Sequence, residues 1–90
     1  MNKEVSFKYR DKFIQLGLAI STLRRISGMT QEQLAEKANI SRSLVSKIEG
    51  NGTAIGFSLE VLFDISEALD VDPSDLINSV NFIKTLSGKG

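Results

Sequence analysis

The sequence predicts an all-α fold of five helices. Two observations carry that reading. Apolar residues recur at spacings of three and four through most of the chain, with Gly, Pro, Asn and capping Ser, Thr or Asp at the junctions. Between those turn signals, no stretch alternates apolar and polar residues as a half-buried strand would. The 90 residues make one small domain, near the lower end of what folds without disulfides or metals.

The elements follow in order. Residues 1–10, MNKEVSFKYR, read as a polar basic arm carrying Lys3, Lys8 and Arg10, ahead of a single domain over 11–87. From about residue 12 to 27, KFIQLGLAISTLRRIS sets Phe13, Leu16, Ile20 and Leu23 on one face, and Gly28 is a stop. Gly17 lies inside this helix, where it would admit a close neighbour. Thr30, with Gln33 three residues on, forms a capping box for a second helix over 31–38. Asn39 tolerates the left-handed backbone of a tight turn. Ser41 caps a third helix over 42–49, which Gly50, Asn51 and Gly52 end. Ser58 caps LEVLFDISEALD, with Leu59, Leu62, Leu69 and either Ile65 or Phe63 turned to a core. Asp72-Pro73-Ser74-Asp75 then opens a fifth helix with a capping acid, a proline at the first helical position and an acid in the first turn. That helix runs to about Leu86.

Composition narrows the chemistry. Cysteine and histidine are both absent, which removes disulfides, thiol nucleophiles and the commonest zinc ligands. A chain without cysteine has no use for an oxidising compartment, so a cytoplasmic setting is expected. No apolar run approaches the roughly 18–20 residues of a membrane span, and no apolar h-region follows the polar N-terminus. Asp70, Asp72 and Asp75 lack the alternating ligands, glycine and distant glutamate of a calcium loop, and helix capping accounts for them. Gly50-Asn51-Gly52 lacks the strand, spacing and lysine of a phosphate loop. Nothing resembles an activated nucleophile or an acid–base pair. Neither an enzyme nor a metal, cofactor or small-molecule effector is expected.

The formal net charge is zero, yet that value averages two unlike halves. Residues 1–48 hold nine Lys and Arg against four Asp and Glu, while residues 49–90 hold two against seven, so the halves carry +5 and −5. The Debye length at cellular salt is about 8 Å, and a chain of this length makes a globule about 25–30 Å across. If the halves lie on different faces, a polyanion feels mainly the basic one. Neutrality therefore leaves DNA open as a partner.

The third helix is where this matters. Only residues 39–41 separate it from the second, too few for a relaxed antiparallel hairpin but suited to a crossing of about 90–120°. At about 100° per residue, Leu44, Val45 and Ile48 share one arc of the wheel. Arg42, Ser43, Ser46 and Lys47 share the other, with no acid or aromatic on it. A major groove about 12 Å wide admits a helix with such a face: short serines permit close approach, and Arg or Lys reach guanine edges or phosphates. Ser41 and the free amides of the first turn suit a phosphate oxygen. A solvated amphipathic helix has the same wheel, so the pattern by itself leaves both readings standing.

Residues 23–70, LRRISGMTQEQLAEKANISRSLVSKIEGN…SLEVLFDISEALD, resemble the helix-turn-helix domain of the phage-repressor/Cro (XRE-like) family. Leu34, Ala35, Ala38, Ile40, Val45 and Ile48 fall on its apolar and small-residue sites, and LDVDPSDL is similar to its join between fourth and fifth helices. Restriction-system controller proteins share this size and layout. The resemblance implies a compact lambda-repressor-like domain with its helix-turn-helix at residues 31–50, binding double-stranded DNA as a transcriptional regulator. It implies base contacts from Arg42, Ser43, Ser46 and Lys47, and phosphate contacts from Gln31, Ser41, Asn51 and Thr53. Gln31 would also brace the first side chains of the recognition helix. It further implies an ion pair between Arg24 and Glu49, and Glu49 falls at the seam of the wheel, where a lone carboxylate would repel DNA. Two departures stand out: Asn39 replaces the commoner glycine, and the loop from 50 to 57 is about two residues long for the family and lacks its usual proline.

The fifth helix, DLINSVNFIKTLSG, holds more apolar residues than one buried stripe requires. Either that helix lies across the core of its own domain, or its second face buries against a twin. The favoured expectation is a homodimer interface in residues 73–87 through Leu76, Val80, Phe82, Ile83 and Leu86, allowing two half-sites of a palindromic operator to be read. The rival reading is an antitoxin-like or other protein-interaction module with an auxiliary helix-turn-helix.

Overall fold

The computed structural model describes residues 7–50 and 55–86. A 3₁₀ turn over Phe7–Tyr9 leads into α1 (Arg10–Ile26), followed by α2 (Gln31–Ala38), α3 (Arg42–Glu49), α4 (Leu59–Leu69) and α5 (Pro73–Leu86). Among the described residues there is no strand. Of the arm expected over residues 1–10, residues 7–10 are helical and continuous with α1, and residues 1–6 lie outside the described residues.

The starts and stops of the helices are set locally. Thr30 accepts a hydrogen bond from Gln33 N at 3.0 Å while Gln33 Oε1 accepts from Thr30 N at 2.9 Å, completing the capping box. Ser41 caps α3 through Leu44 N at 3.0 Å, and Ser58 caps α4 through Val61 N at 3.1 Å. Asp72 Oδ1 accepts from both Ser74 N and Ser74 Oγ at 2.9 Å at the head of α5. Three helices end in one device. A left-handed residue, Gly28 (φ 75°), Asn39 (φ 58°) or Asp70 (φ 61°), closes each of α1, α2 and α4. The next residue, Met29, Ile40 or Val71, sends its N–H five residues back to Arg24 O, Ala35 O or Ser66 O at 3.0–3.1 Å. Each of those three side chains also packs against the core, the apolar contact that accompanies Schellman ends.

The core is aliphatic. Ile20, Leu34, Val45, Ile65 and Leu76 are its most deeply buried apolar members, and the rings of Phe13 and Phe57 meet edge-to-face at a 5.5 Å centroid separation. Burying a side chain of this size contributes about 1.5–3 kcal/mol. The α1 helix is central, packing against α3, α4 and α5, while α2 packs between α3 and α4. Gly17 is where α1 meets α3: a Cβ there would overlap the carbonyl oxygen of Ile48.

Two expectations about facing fail. Leu62, Leu69 and, of the two alternatives, Ile65 rather than Phe63 turn to the core as expected and Ala68 joins them, but Leu59 is 67% exposed. Leu76 and Val80 are 0% and 8% exposed in the single chain, so they serve its own core and not a dimer surface. The reason is that α5 packs chiefly on α1 and also on α4, and Leu76 and Val80 belong to the core cluster these helices share. The outward apolar residue is Ile77, 47% exposed. The expected interface side chains of Phe82, Ile83 and Leu86 lie outside the described residues.

Candidate nucleic-acid interface

The turn after α2 is held by Asn39 in the left-handed region and by Ile40, which tucks against the core. Its short reach fixes α3 against α1 and α2 together. Val45 and Ile48 are consequently buried and Leu44 half-buried, while Ser41, Arg42, Ser43, Ser46 and Lys47 all face solvent. One surface therefore carries two cations and three hydroxyls, and no carboxylate. Ser41 Oγ is already the acceptor for Leu44 N, which leaves its O–H free to donate to an oxygen outside.

Behind that surface lies a buried polar cluster. Arg24 and Glu49 form a two-pronged ion pair, Nε to Oε2 at 2.9 Å and Nη2 to Oε1 at 3.0 Å. Their side chains are only 10% and 3% exposed. Arg24 Nη1 also donates to the carbonyl of Met29 at 2.7 Å, tying the pair to the turn between α1 and α2. Gln31 Nε2 donates to Glu49 Oε1 at 3.0 Å, linking the first residue of α2 to the last of α3. Removing one partner of a buried pair costs about 3–5 kcal/mol, because the other charge is left without compensation. Among the described residues no buried side-chain nitrogen or oxygen lacks a partner.

The structure thus gathers Gln31, Ser41, Arg42, Ser43, Ser46 and Lys47 around α3 and the start of α2, and it joins Arg24 to Glu49. Asn51 and Thr53 lie outside the described residues. Sequence reasoning missed the Gln31–Glu49 bond and set Gln31 against the beginning of the recognition helix. The available signal was Glu49 at the seam of the wheel, but its second partner depends on how α2 and α3 cross. No group of three or more metal-ligating side chains occurs among the described residues, and no helix there is long and apolar enough to cross a membrane.

Comparison with known proteins agrees with this architecture. A helix-turn-helix family model matches residues 20–76, from the middle of α1 to the start of α5. The immunity repressor protein of Bacillus phage phi105 is 36% identical over 69 residues. That match takes in 77% of this chain but 46% of the repressor, so the chain spans about half the length of that relative. Among solved structures, the restriction-modification controller protein C.Esp1396I superposes with a TM-score of 0.73 at 28% identity, covering 92% of this chain and 99% of that one. The controller protein C.AhdI from Aeromonas hydrophila gives 0.66 at 30% identity, over 71% and 94% of the two chains. C.Esp1396I bound to a 19-base-pair DNA duplex gives 0.70 at 29% identity, over 84% and 93%. With a family model covering more than half of the sequence, on the very helices that build this surface, the chain belongs to the helix-turn-helix family.

Proposed function

We propose that the protein is a sequence-specific DNA-binding transcriptional regulator that places α3 in the major groove. The observation that carries this is the acid-free outer face of α3, held rigidly over the buried Arg24–Glu49 pair. Arg42 and Lys47, with Ser43 and Ser46, supply the base contacts, while Gln31 and Ser41 hold phosphates. The structural relative on a 19-base-pair duplex supports the same mode. A protein of this kind performs no chemistry on its ligand and works in the cytoplasm beside the DNA.

An α3 of eight residues is about 12 Å long at 1.5 Å per residue and reads only a few base pairs. A homodimer supplies two such helices about 34–36 Å apart, one turn of the duplex. The outward face of α5, with Ile77 exposed, is the surface for that pairing.

Selection from random duplexes by the purified protein is the direct test, and an enriched inverted repeat is expected. An absence of enrichment at low salt would instead favour the interaction-module reading. On the selected duplex, Arg42→Ala is expected to cost about 1–3 kcal/mol and to relax preference at one base pair. Equal loss on random DNA would reduce Arg42 to a phosphate contact.

A further inference from the structure

The carboxylate of Glu49 accepts three hydrogen bonds, two from Arg24 and one from Gln31 Nε2. A carboxylate can only accept, so the Gln31 carboxamide meets it in one orientation, nitrogen inward. One Nε2 hydrogen is used there. The second, with the carbonyl Oε1, is left for the half-exposed outer side of Gln31 at the first position of α2. Arg24 alone already gives both carboxylate oxygens a partner, so the third bond is not needed to satisfy the buried pair.

We propose that Glu49 is a positioning residue for the α2 phosphate contact: it locks the Gln31 carboxamide so that the remaining Nε2–H is presented to one DNA phosphate. This rests on the DNA-binding reading above. A free glutamine would have to give up its rotamer freedom on binding, whereas here that freedom is already lost in the folded protein. Because Gln31 opens α2 and Glu49 closes α3, the bond also keeps the phosphate anchor in register with the base-reading face. The ion pair with Arg24 holds Glu49 in place and offsets its charge, so that a carboxylate can do this beside a polyanion.

Three variants test it: Gln31→Ala, Glu49→Gln and the double. In the free protein, the side-chain amide of Gln31 is expected to give a shifted pair of proton resonances, the inward proton protected from exchange by its bond to Glu49. Glu49→Gln should return them to the positions of a solvated glutamine while backbone and methyl spectra show the fold intact. On the selected duplex, Gln31→Ala should weaken binding about tenfold, the loss of one hydrogen bond to a charged group, with the salt dependence unchanged because a neutral donor releases no counterion. Glu49→Gln should weaken binding comparably in the native background and by less than about twofold once Gln31 is alanine, the signature of coupled sites. Equal losses in both backgrounds would show that Glu49 acts through the fold alone and overturn the proposal. So would Gln31 amide resonances indifferent to Glu49→Gln, whatever the protein binds. If no duplex is selected at all, the regulator reading and the phosphate contact fail, while the amide resonances still decide whether Glu49 orients Gln31. If Glu49→Gln does not fold, Glu49→Asp keeps the charge and withdraws the acceptor by one methylene, and the same readouts apply.

Discussion

Single residues set the corners of this fold. Asn39 and Asp70 adopt the left-handed conformation without being glycine. A β-branched side chain tolerates that region poorly, at a cost of about 1–2 kcal/mol. Asn39→Val is therefore expected to destabilise the protein by about that amount in urea unfolding, and to disturb the α2–α3 turn more than the far end of α5. Asp72 makes a second prediction. The Ser74 backbone N–H and then its hydroxyl hold the exposed Asp72 carboxyl below its ordinary value of 3.8. A depressed folded-state value means that the cap stabilises the fold above pH 3.8 and fades as pH falls through the lowered value. Asp72→Asn should remove that acid-side slope from the stability profile, as thermal unfolding between neutral pH and pH 3 would show. At this scale the sequence was informative wherever a residue acts on its own backbone: Thr30, Ser41, Ser58 and Asp72 all cap the helix they were expected to cap. It was uninformative where a side chain reaches another element, as Gln31 does.

Among the helices, existence and extent could be read from the chain, but facing only in part: α1 and α3 present the expected sides, while Leu59 of α4 and the stripe of α5 do not. Caps and stops act within a few residues, so the helix limits follow from local chemistry. Whether Leu59 turns inward beside Leu62 is decided by how α4 packs, chiefly on α2, and which of Leu76 and Ile77 does so by how α5 packs, chiefly on α1. The apolar pattern of α5 has enough members for two stripes, and only packing selects between them. α3 was easier because its wheel divides cleanly into an apolar arc and a hydroxyl-and-cation arc. Gly17 yields the prediction that belongs here. Since a Cβ would meet backbone rather than a movable side chain, Gly17→Ala must push α1 and α3 apart. Overpacking of this kind costs about 1–3 kcal/mol. A loss of DNA affinity is expected as well, because α3 is displaced relative to α2, whereas Leu18→Ala on the exposed side of α1 should change neither. Unchanged DNA affinity in folded Gly17→Ala would show that the interface absorbs the shift.

At 36 × 31 × 21 Å one copy spans about one turn of duplex, so an inverted repeat with half-sites about 34–36 Å apart calls for two. Pairing through α5 is thus open to a simple check. Ile77→Asp is expected to leave the helical content intact, halve the mass seen by light scattering, and weaken binding to the full inverted repeat far more than to a half-site. A mass unchanged by Ile77→Asp would move the interface elsewhere.

The charge separation has a consequence of its own. From Leu59 to Val80 the surface carries Glu60, Asp64, Glu67, Asp70, Asp72 and Asp75 and no basic side chain, while α3 exposes Arg42 and Lys47 and no acid. A neutral body with its charge so divided feels little net pull from a distant duplex, but within about 8 Å the field turns it. On the DNA-binding reading, approaches with α3 leading are then favoured, which gives orientation without the general stickiness to nucleic acid of a uniformly cationic surface.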